Sequence, residues 1–188
     1  MKNKMRYFDY ASTTPVDVEV AKSYERAQRE FFANPDSLHF AGVESAKLLQ
    51  DAKNQISELL KIKSNELFIT SGATEANNIA LIGAARAYKN RGKHIITTNI
   101  EHASVGNTVA YLKNEGFEIT EVKVGADGIL KTAELLSEIR EDTIMVSMIH
   151  INNEIGVIQP VAELAQAIKE KNSSILVHSD MAQSVGKV

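Results

Sequence analysis

From residue 66 onward, short runs rich in β-branched residues alternate with stretches of helical periodicity, and this alternation limits the fold more than any other feature. The predicted strands are "ELFIT" (66–70), "HIITTN" (94–99), "FEITEVKV" (117–124), "TIMVSMIH" (143–150) and "SSILVHSD" (173–180). The helical stretches lie near 75–91, 103–115, 132–140 and 160–171. Apolar strands separated by helices form a parallel sheet covered on both faces. The pattern therefore predicts an α/β fold with a mostly parallel sheet and helices on both faces.

Two further helices are predicted before residue 66. In the first, helical spacing relates Val20, Tyr24, Ala27 and Phe31, behind Pro15 and Asp17. In the second, the same spacing relates Ala46, Leu49, Lys53, Ile56 and Leu60.

Composition narrows the class of protein. The chain has 188 residues, of which 44% are hydrophobic, and this suits a globular protein. Its net charge of -3 gives no electrostatic basis for binding nucleic acid or an anionic membrane. The longest apolar run, "IALIGAA" (79–85), is far shorter than a membrane helix, and the first residues show no signal-peptide core. We therefore expect a cytoplasmic protein. Since there are no cysteines, disulfides, thiolate metal sites and a cysteine nucleophile are absent from this chain, and we expect no metal site.

Ligands of open parallel sheets bind beyond the carboxyl ends of the strands, so the residues directly after each strand are the candidates for function. The first such stretch, "SGATEANN" (71–78), contains small residues at a helix start, where free backbone N–H groups suit a phosphate. The Thr74 hydroxyl could donate as well. The alternative is an ordinary turn in which Ser71 or Thr74 caps the helix.

The next two strand ends carry an imidazole and two amides. His102, in "IEHASV", could stack on a flat ligand or relay protons, or it could be a helix cap. Asn152 and Asn153, in "INNEIG", could donate to a phenolate or carboxylate, or they could form an Asx-type turn.

The last predicted strand ends on an acid. Asp180 could hold the proton of a heterocyclic ring nitrogen, with Gln183 reaching the same ligand, or Asp180 could cap a following helix. A phosphate site, a stacking histidine, an amide donor and an acid at neighbouring strand ends are together typical of a pyridoxal 5'-phosphate (PLP) site.

The sequence resembles the cysteine desulfurases of iron–sulfur cluster assembly, in the class V group of fold-type I PLP enzymes. The resemblance runs from about residue 6 to residue 188, and its motifs are "YFDYASTTP" (7–15), "NPDSLHFAG" (34–42), "FITSGATEANN" (68–78), "IEHASV" (100–105), "VSMIHINNEIGVIQP" (146–160) and "HSDMAQSVGK" (178–187). "YFDYASTT" and Met181 depart from the commoner wording of the family.

The resemblance implies roles for six residues. Ala73 and Thr74 would hold the PLP phosphate, and His102 would be the catalytic residue that stacks on the ring and takes part in proton transfer. The other three would contact the ring: Asn153 at the phenolic oxygen or the substrate, Asp180 at the pyridinium nitrogen and Gln183 at the phenolic oxygen. The family takes sulfur from L-cysteine, leaves alanine and an enzyme persulfide, passes sulfur to an acceptor protein and forms homodimers.

Two groups that the family uses are absent from this sequence. The Schiff-base lysine lies in a Ser-x-x-His-Lys motif of the family, and no such motif occurs here; the persulfide cysteine is missing too. We therefore expect the N-terminal half of a desulfurase, with residues 1–15 directed toward the small domain and residues 16–188 forming part of the large, PLP-binding domain. Because two strands that neighbour the first strand in the family are missing, "ELFIT" should pair with another chain or lie displaced against strand 143–150.

Two other functions remain open at this point. The first is another class V PLP enzyme, such as a selenocysteine lyase or an aminotransferase. The second is a non-catalytic fragment that binds a complementary half, which the absent lysine favours.

Overall fold

A computed structural model describes residues 6–188, so the first five residues of the predicted segment 1–15 lie outside the described residues. The chain divides into two compact units, Met1–Ile69 and Thr70–Val188.

The first unit contains two helices. Helix α1 spans Val18–Glu30 and is capped by Asp17, whose carboxylate accepts from the Glu19 backbone N–H. Helix α2 spans Phe40–Leu60 and is capped by the His39 ring. Both predicted helices are thus confirmed, and a short 3-10 turn follows at Ser64–Glu66.

The predicted strand at residues 66–70 is wrong. Glu66 closes the 3-10 turn, and residues 67–70 have no regular structure. A displaced position against the strand at 143–149 is also wrong, because both neighbours of that strand are other strands of the sheet. The apolar run is present, but a strand forms only where a second backbone takes up its hydrogen bonds. Phe68 and Ile69 are consequently exposed, and pairing with another chain stays a prediction.

The second unit is a parallel sheet with four helices. Its elements in chain order are α3 (Ala73–Tyr88), β1 (His94–Thr98), α4 (Ala103–Asn114), β2 (Glu118–Val122), α5 (Thr132–Ser137), β3 (Thr143–Ile149), α6 (Val161–Lys171) and β4 (Leu176–Asp180). The strands are all parallel in the order β2-β1-β3-β4. The other four predicted strands and the four predicted helices that alternate with them are therefore confirmed, and so is the α/β class.

Helices cover both faces of this sheet. Successive strand residues point to opposite faces, and Ile95 packs with α3 and α4 whereas Ile96 packs with α5 and α6. All five residues of β1 are buried, as expected for a central strand. Within residues 6–188, no helix has the length and hydropathy that crossing a membrane requires.

Candidate functional site

The loops after β1 and β3 meet at the carboxyl edge of the sheet. The Asn152 amide donates to the Ile100 carbonyl at 2.7 Å, and the Ile149 backbone N–H donates to Glu101 at 2.8 Å. The end of β4 joins them, because the His150 N–H donates to the Asp180 carbonyl at 2.9 Å. Parallel strands in this order thus bring three of the predicted strand ends to one edge.

The start of α3 has free backbone donors. The helix begins at Ala73 with Gly72 as its N-cap, and no side chain caps it, so capping by Ser71 or Thr74 is not what the chain adopts. The backbone N–H groups of Gly72, Ala73 and Thr74 have no hydrogen-bond partner among the described residues. Glu75 accepts from the Ser71 N–H at 2.6 Å, and this bond lowers the pKa of its carboxyl. The helix end therefore presents donors that an anion can bind.

His102 is the N-cap of α4. Its Nδ1 accepts from the Ser104 backbone N–H at 3.1 Å and lies 2.8 Å from the Ser104 hydroxyl. The capping role predicted as an alternative is thus confirmed, while the ring itself stays exposed. A cap bonded through Nδ1 leaves Nε2 without a bond to the described residues, so capping and contact with a ligand are compatible.

The two asparagines that follow β3, Asn152 and Asn153, differ in burial and in hydrogen bonding. Asn152 is buried, and its Oδ1 accepts from the Glu154 and Ile155 N–H groups at 2.8 and 2.9 Å, which confirms the Asx-type turn. Asn153 is half-buried and makes no side-chain hydrogen bond to the described residues. With His102 it lines a cavity of about 300 Å³. Asn153 is therefore the amide of this pair that has free donors.

Asp180 ends β4 as a buried carboxylate, only 4% exposed. Its Oδ2 accepts from the Asn77 amide at 2.8 Å, and its Oδ1 accepts from the Ala182 N–H at 3.0 Å. Residues 181–187 form turns, so the predicted alternative of a helix capped by Asp180 is not observed. Gln183 is half-buried within these turns.

Three residues at this edge were missed in the sequence. Asn77 and Ser104 are buried and bonded to each other, and only their place in the motifs around Thr74 and His102 could have indicated them. Glu101 accepts from the Thr98 hydroxyl and the Ile149 N–H through Oε1, whereas its buried Oε2 has no partner among the described residues. Burial raises the pKa of Glu101 to about 7, and the nearby Asp180 charge adds to this effect.

Comparison with known proteins assigns nearly the whole chain to one family. Residues 6–188 match the aminotransferase class-V family. The chain belongs to that family. It is 42% identical over 184 residues to "Cysteine desulfurase IscS 1" of Archaeoglobus fulgidus, covering 98% of this chain and 47% of that protein.

Solved structures resemble the chain along nearly its whole length. A NifS-like protein superimposes with a TM-score of 0.92 at 39% identity, covering 95% of this chain and 49% of its own. SspA in complex with cysteine superimposes with a TM-score of 0.89 at 34% identity, and the match covers 96% of this chain and 51% of SspA. The chain thus spans about half the length of the relatives it matches.

The class V family implies PLP, and the donors at the carboxyl edge fit its non-covalent contacts. The free N–H groups at the start of α3 suit a phosphate. Each Asp180 oxygen accepts one hydrogen bond and retains a lone pair, which suits a protonated ring nitrogen. No lysine lines the cavity between His102 and Asn153, so covalent attachment is not supplied by the residues lining it.

Proposed function

We propose that this chain forms the greater part of the cofactor site of a PLP-dependent cysteine desulfurase. The observation that carries the proposal is the buried Asp180 carboxylate, which lies at the same sheet edge as the exposed ring of His102. We further propose that residues 16–188 belong to the large domain and that residues 1–15 lead toward the small domain.

Six residues are proposed to contact the cofactor. The backbone at Ala73 and Thr74 binds the phosphate, Asp180 holds a proton on the ring nitrogen, and His102 stacks on the ring and carries the catalytic proton. Asn153 donates to the phenolic oxygen or to the substrate, and Gln183 donates to the phenolic oxygen. When bound, PLP supplies an electron sink for the substrate's electrons.

The proposed substrate is L-cysteine, which gives alanine while its sulfur passes to a persulfide. The structure of SspA with cysteine and the relative named cysteine desulfurase support this choice. The chain contains no cysteine and no Ser-x-x-His-Lys motif, so it supplies neither the sulfur carrier nor the lysine motif that the family uses. A cytoplasmic homodimer that delivers sulfur to an acceptor protein for iron–sulfur cluster assembly is part of the same proposal.

The same absence favours one alternative, in which the chain only binds a complementary half and takes no part in chemistry. A selenocysteine lyase or an aminotransferase is the remaining alternative within the family. Product analysis with L-cysteine, L-selenocysteine and a 2-oxo acid separates these enzymes.

Binding of PLP tests the cofactor site directly. Equilibrium dialysis should show that the chain retains PLP, and Asp180→Asn should weaken binding roughly 10- to 100-fold because a charge-assisted hydrogen bond is lost. Asp127→Asn is the matched control, since this exposed acid pairs with Lys131 and does not line the cavity between His102 and Asn153. The affinity of this variant for PLP should equal that of the wild type. Equal losses in both variants, or no retention of PLP by the wild type, would contradict the proposed site.

Turnover tests the reaction. The chain alone should release no sulfide from L-cysteine. Mixing it with the remaining half of the Archaeoglobus fulgidus relative, which is 42% identical in the matched part, should give cysteine-dependent sulfide. A stable mixture that binds PLP and stays inactive would favour the non-catalytic alternative.

A further inference from the structure

Four side chains from α3, α4 and β4 form a continuous row of hydrogen bonds at the carboxyl edge. The Asn77 amide nitrogen lies 2.8 Å from Asp180 Oδ2 and 2.9 Å from Ser104 Oγ. Ser104 Oγ lies 2.8 Å from His102 Nδ1. Asn77, Ser104 and Asp180 are no more than 7% exposed, so water does not compete for these bonds.

The direction of each bond follows from the donors and acceptors available. An ionised Asp180 only accepts, so Asn77 must present its NH₂ group, and the two hydrogens of that group serve Asp180 and Ser104. Ser104 Oγ is then an acceptor from Asn77, and its own hydrogen is left for His102.

His102 Nδ1 therefore receives two donors. The Ser104 hydroxyl donates at 2.8 Å and the Ser104 backbone N–H at 3.1 Å. A ring nitrogen that accepts cannot carry a proton, so in the neutral ring the proton resides on Nε2. Nε2 makes no hydrogen bond to the described residues and is available to a ligand.

We propose that Asn77 and Ser104 are positioning residues that transmit the negative charge of Asp180 to His102 and fix that ring as its Nε2–H tautomer. The catalytic significance rests on the function proposed above, in which both Asp180 and His102 contact the cofactor. The hydrogen-bond order itself does not, because it is formed entirely by side chains of this chain.

The tautomer can be measured in the free chain. Long-range ¹H–¹⁵N correlation spectra distinguish protonated from unprotonated imidazole nitrogens, and loss of one signal set in His102→Gln assigns His102 among the five histidines. We expect unprotonated Nδ1 and protonated Nε2 in the wild type at a pH where the ring is neutral. A predominant Nδ1–H form would overturn the proposal.

Variants of Ser104 test whether its hydroxyl sets the tautomer. Ser104→Ala should lower the ratio of Nε2–H to Nδ1–H roughly 2- to 12-fold, the effect of one hydrogen bond, and Ser104→Thr should restore it. Thr108→Val is the matched control, because Thr108 is buried one turn further along α4 and its hydroxyl bonds to the Ser104 carbonyl instead of His102. The control should keep the wild-type ratio.

Asn77→Ala tests the link to Asp180. Without the Asn77 donor, the Ser104 hydroxyl oxygen can accept from a protonated His102 Nδ1 as well as donate to an unprotonated one. The ratio of Nε2–H to Nδ1–H should therefore fall, but by less than in Ser104→Ala. An unchanged ratio in a folded Ser104→Ala protein would refute the proposal; if that variant does not fold, the wild-type tautomer and Ser104→Thr decide. PLP dialysis reports on the cofactor site separately, so failure of one proposal is distinguishable from failure of the other.

Discussion

Two acids at the carboxyl edge of the sheet, the buried Asp180 at the end of β4 and the half-buried Glu101 after β1, have different surroundings. Each Asp180 oxygen accepts one hydrogen bond, from Asn77 and from the Ala182 backbone. In Glu101 both hydrogen bonds reach Oε1, from the Thr98 hydroxyl at 2.5 Å and from the Ile149 backbone at 2.8 Å, and Oε2 has no partner within the described residues.

The difference shows that burial and hydrogen bonding act separately on a carboxyl group. Donors on both oxygens favour the ionised form, whereas burial of an unpartnered oxygen favours the protonated form. For Glu101 the burial effect is the larger one and raises its pKa to about 7, despite the two donors that oppose it. The edge thus holds one acid with a donor on each oxygen and one, Glu101, whose pKa is raised to about 7.

The largest expected effect is a pH dependence of stability caused by Glu101. In the unfolded chain Glu101 loses its proton near pH 4.5, but in the folded chain it keeps the proton until about pH 7. At Glu101 the folded state therefore binds more protons in this window, and the contribution of Glu101 to the free energy of unfolding should fall as pH rises from 4.5 to 7, by as much as about 3 kcal/mol. Glu101→Gln should remove this fall, as measured by urea unfolding across the range.

Glu154→Gln is the matched control for this experiment, since Glu154 is an exposed acid in the neighbouring loop. Its curve should run parallel to that of the wild type. Parallel curves for wild type and Glu101→Gln would show that Oε2 is better solvated than the structure indicates.

The next effect concerns the paired acid. Asp180→Ala leaves the buried Asn77 amide and the Ala182 N–H without their acceptor, and we expect a loss of about 2 kcal/mol in the free energy of unfolding at pH 8. At the same pH Glu101→Gln should stabilise the chain, so the two substitutions should have opposite signs. Asp127→Ala, at an exposed acid, should change stability far less than Asp180→Ala. If Asp180→Ala and Asp127→Ala changed stability equally and by little, the hydrogen bonds of Asp180 would not stabilise the fold as proposed.

The smallest effect should come from the Thr98 hydroxyl, which lowers the pKa of Glu101 by donating to it. Thr98→Val removes this donor, so the pKa of Glu101 should rise further above its ordinary value, with a loss of stability of about 1 kcal/mol at pH 8. Carboxyl ¹³C resonances followed through a pH titration measure the shift. Serine at this position should preserve the wild-type titration.

Local sequence was sufficient for most of the fold. The strands at 94–98 and 143–149 are runs rich in β-branched residues, and Asp17 marks the start of α1 by a side-chain bond that spans two residues. "ELFIT" has the same local pattern and forms no strand, because strand pairing depends on a second backbone that the run itself does not specify.

The sequence by itself determined which residues stand at the strand ends: His102 and Asn153 follow β1 and β3 in chain order, and Asp180 ends β4. Only the tertiary structure decided what these residues bond to. Asn77 and Asp180 are far apart in sequence yet lie 2.8 Å apart, because the strand order brings α3 and β4 together. Glu101 titrates near neutral pH for the same reason, since both its burial and its bond to Ile149 arise from packing between elements and not from its neighbours in the chain.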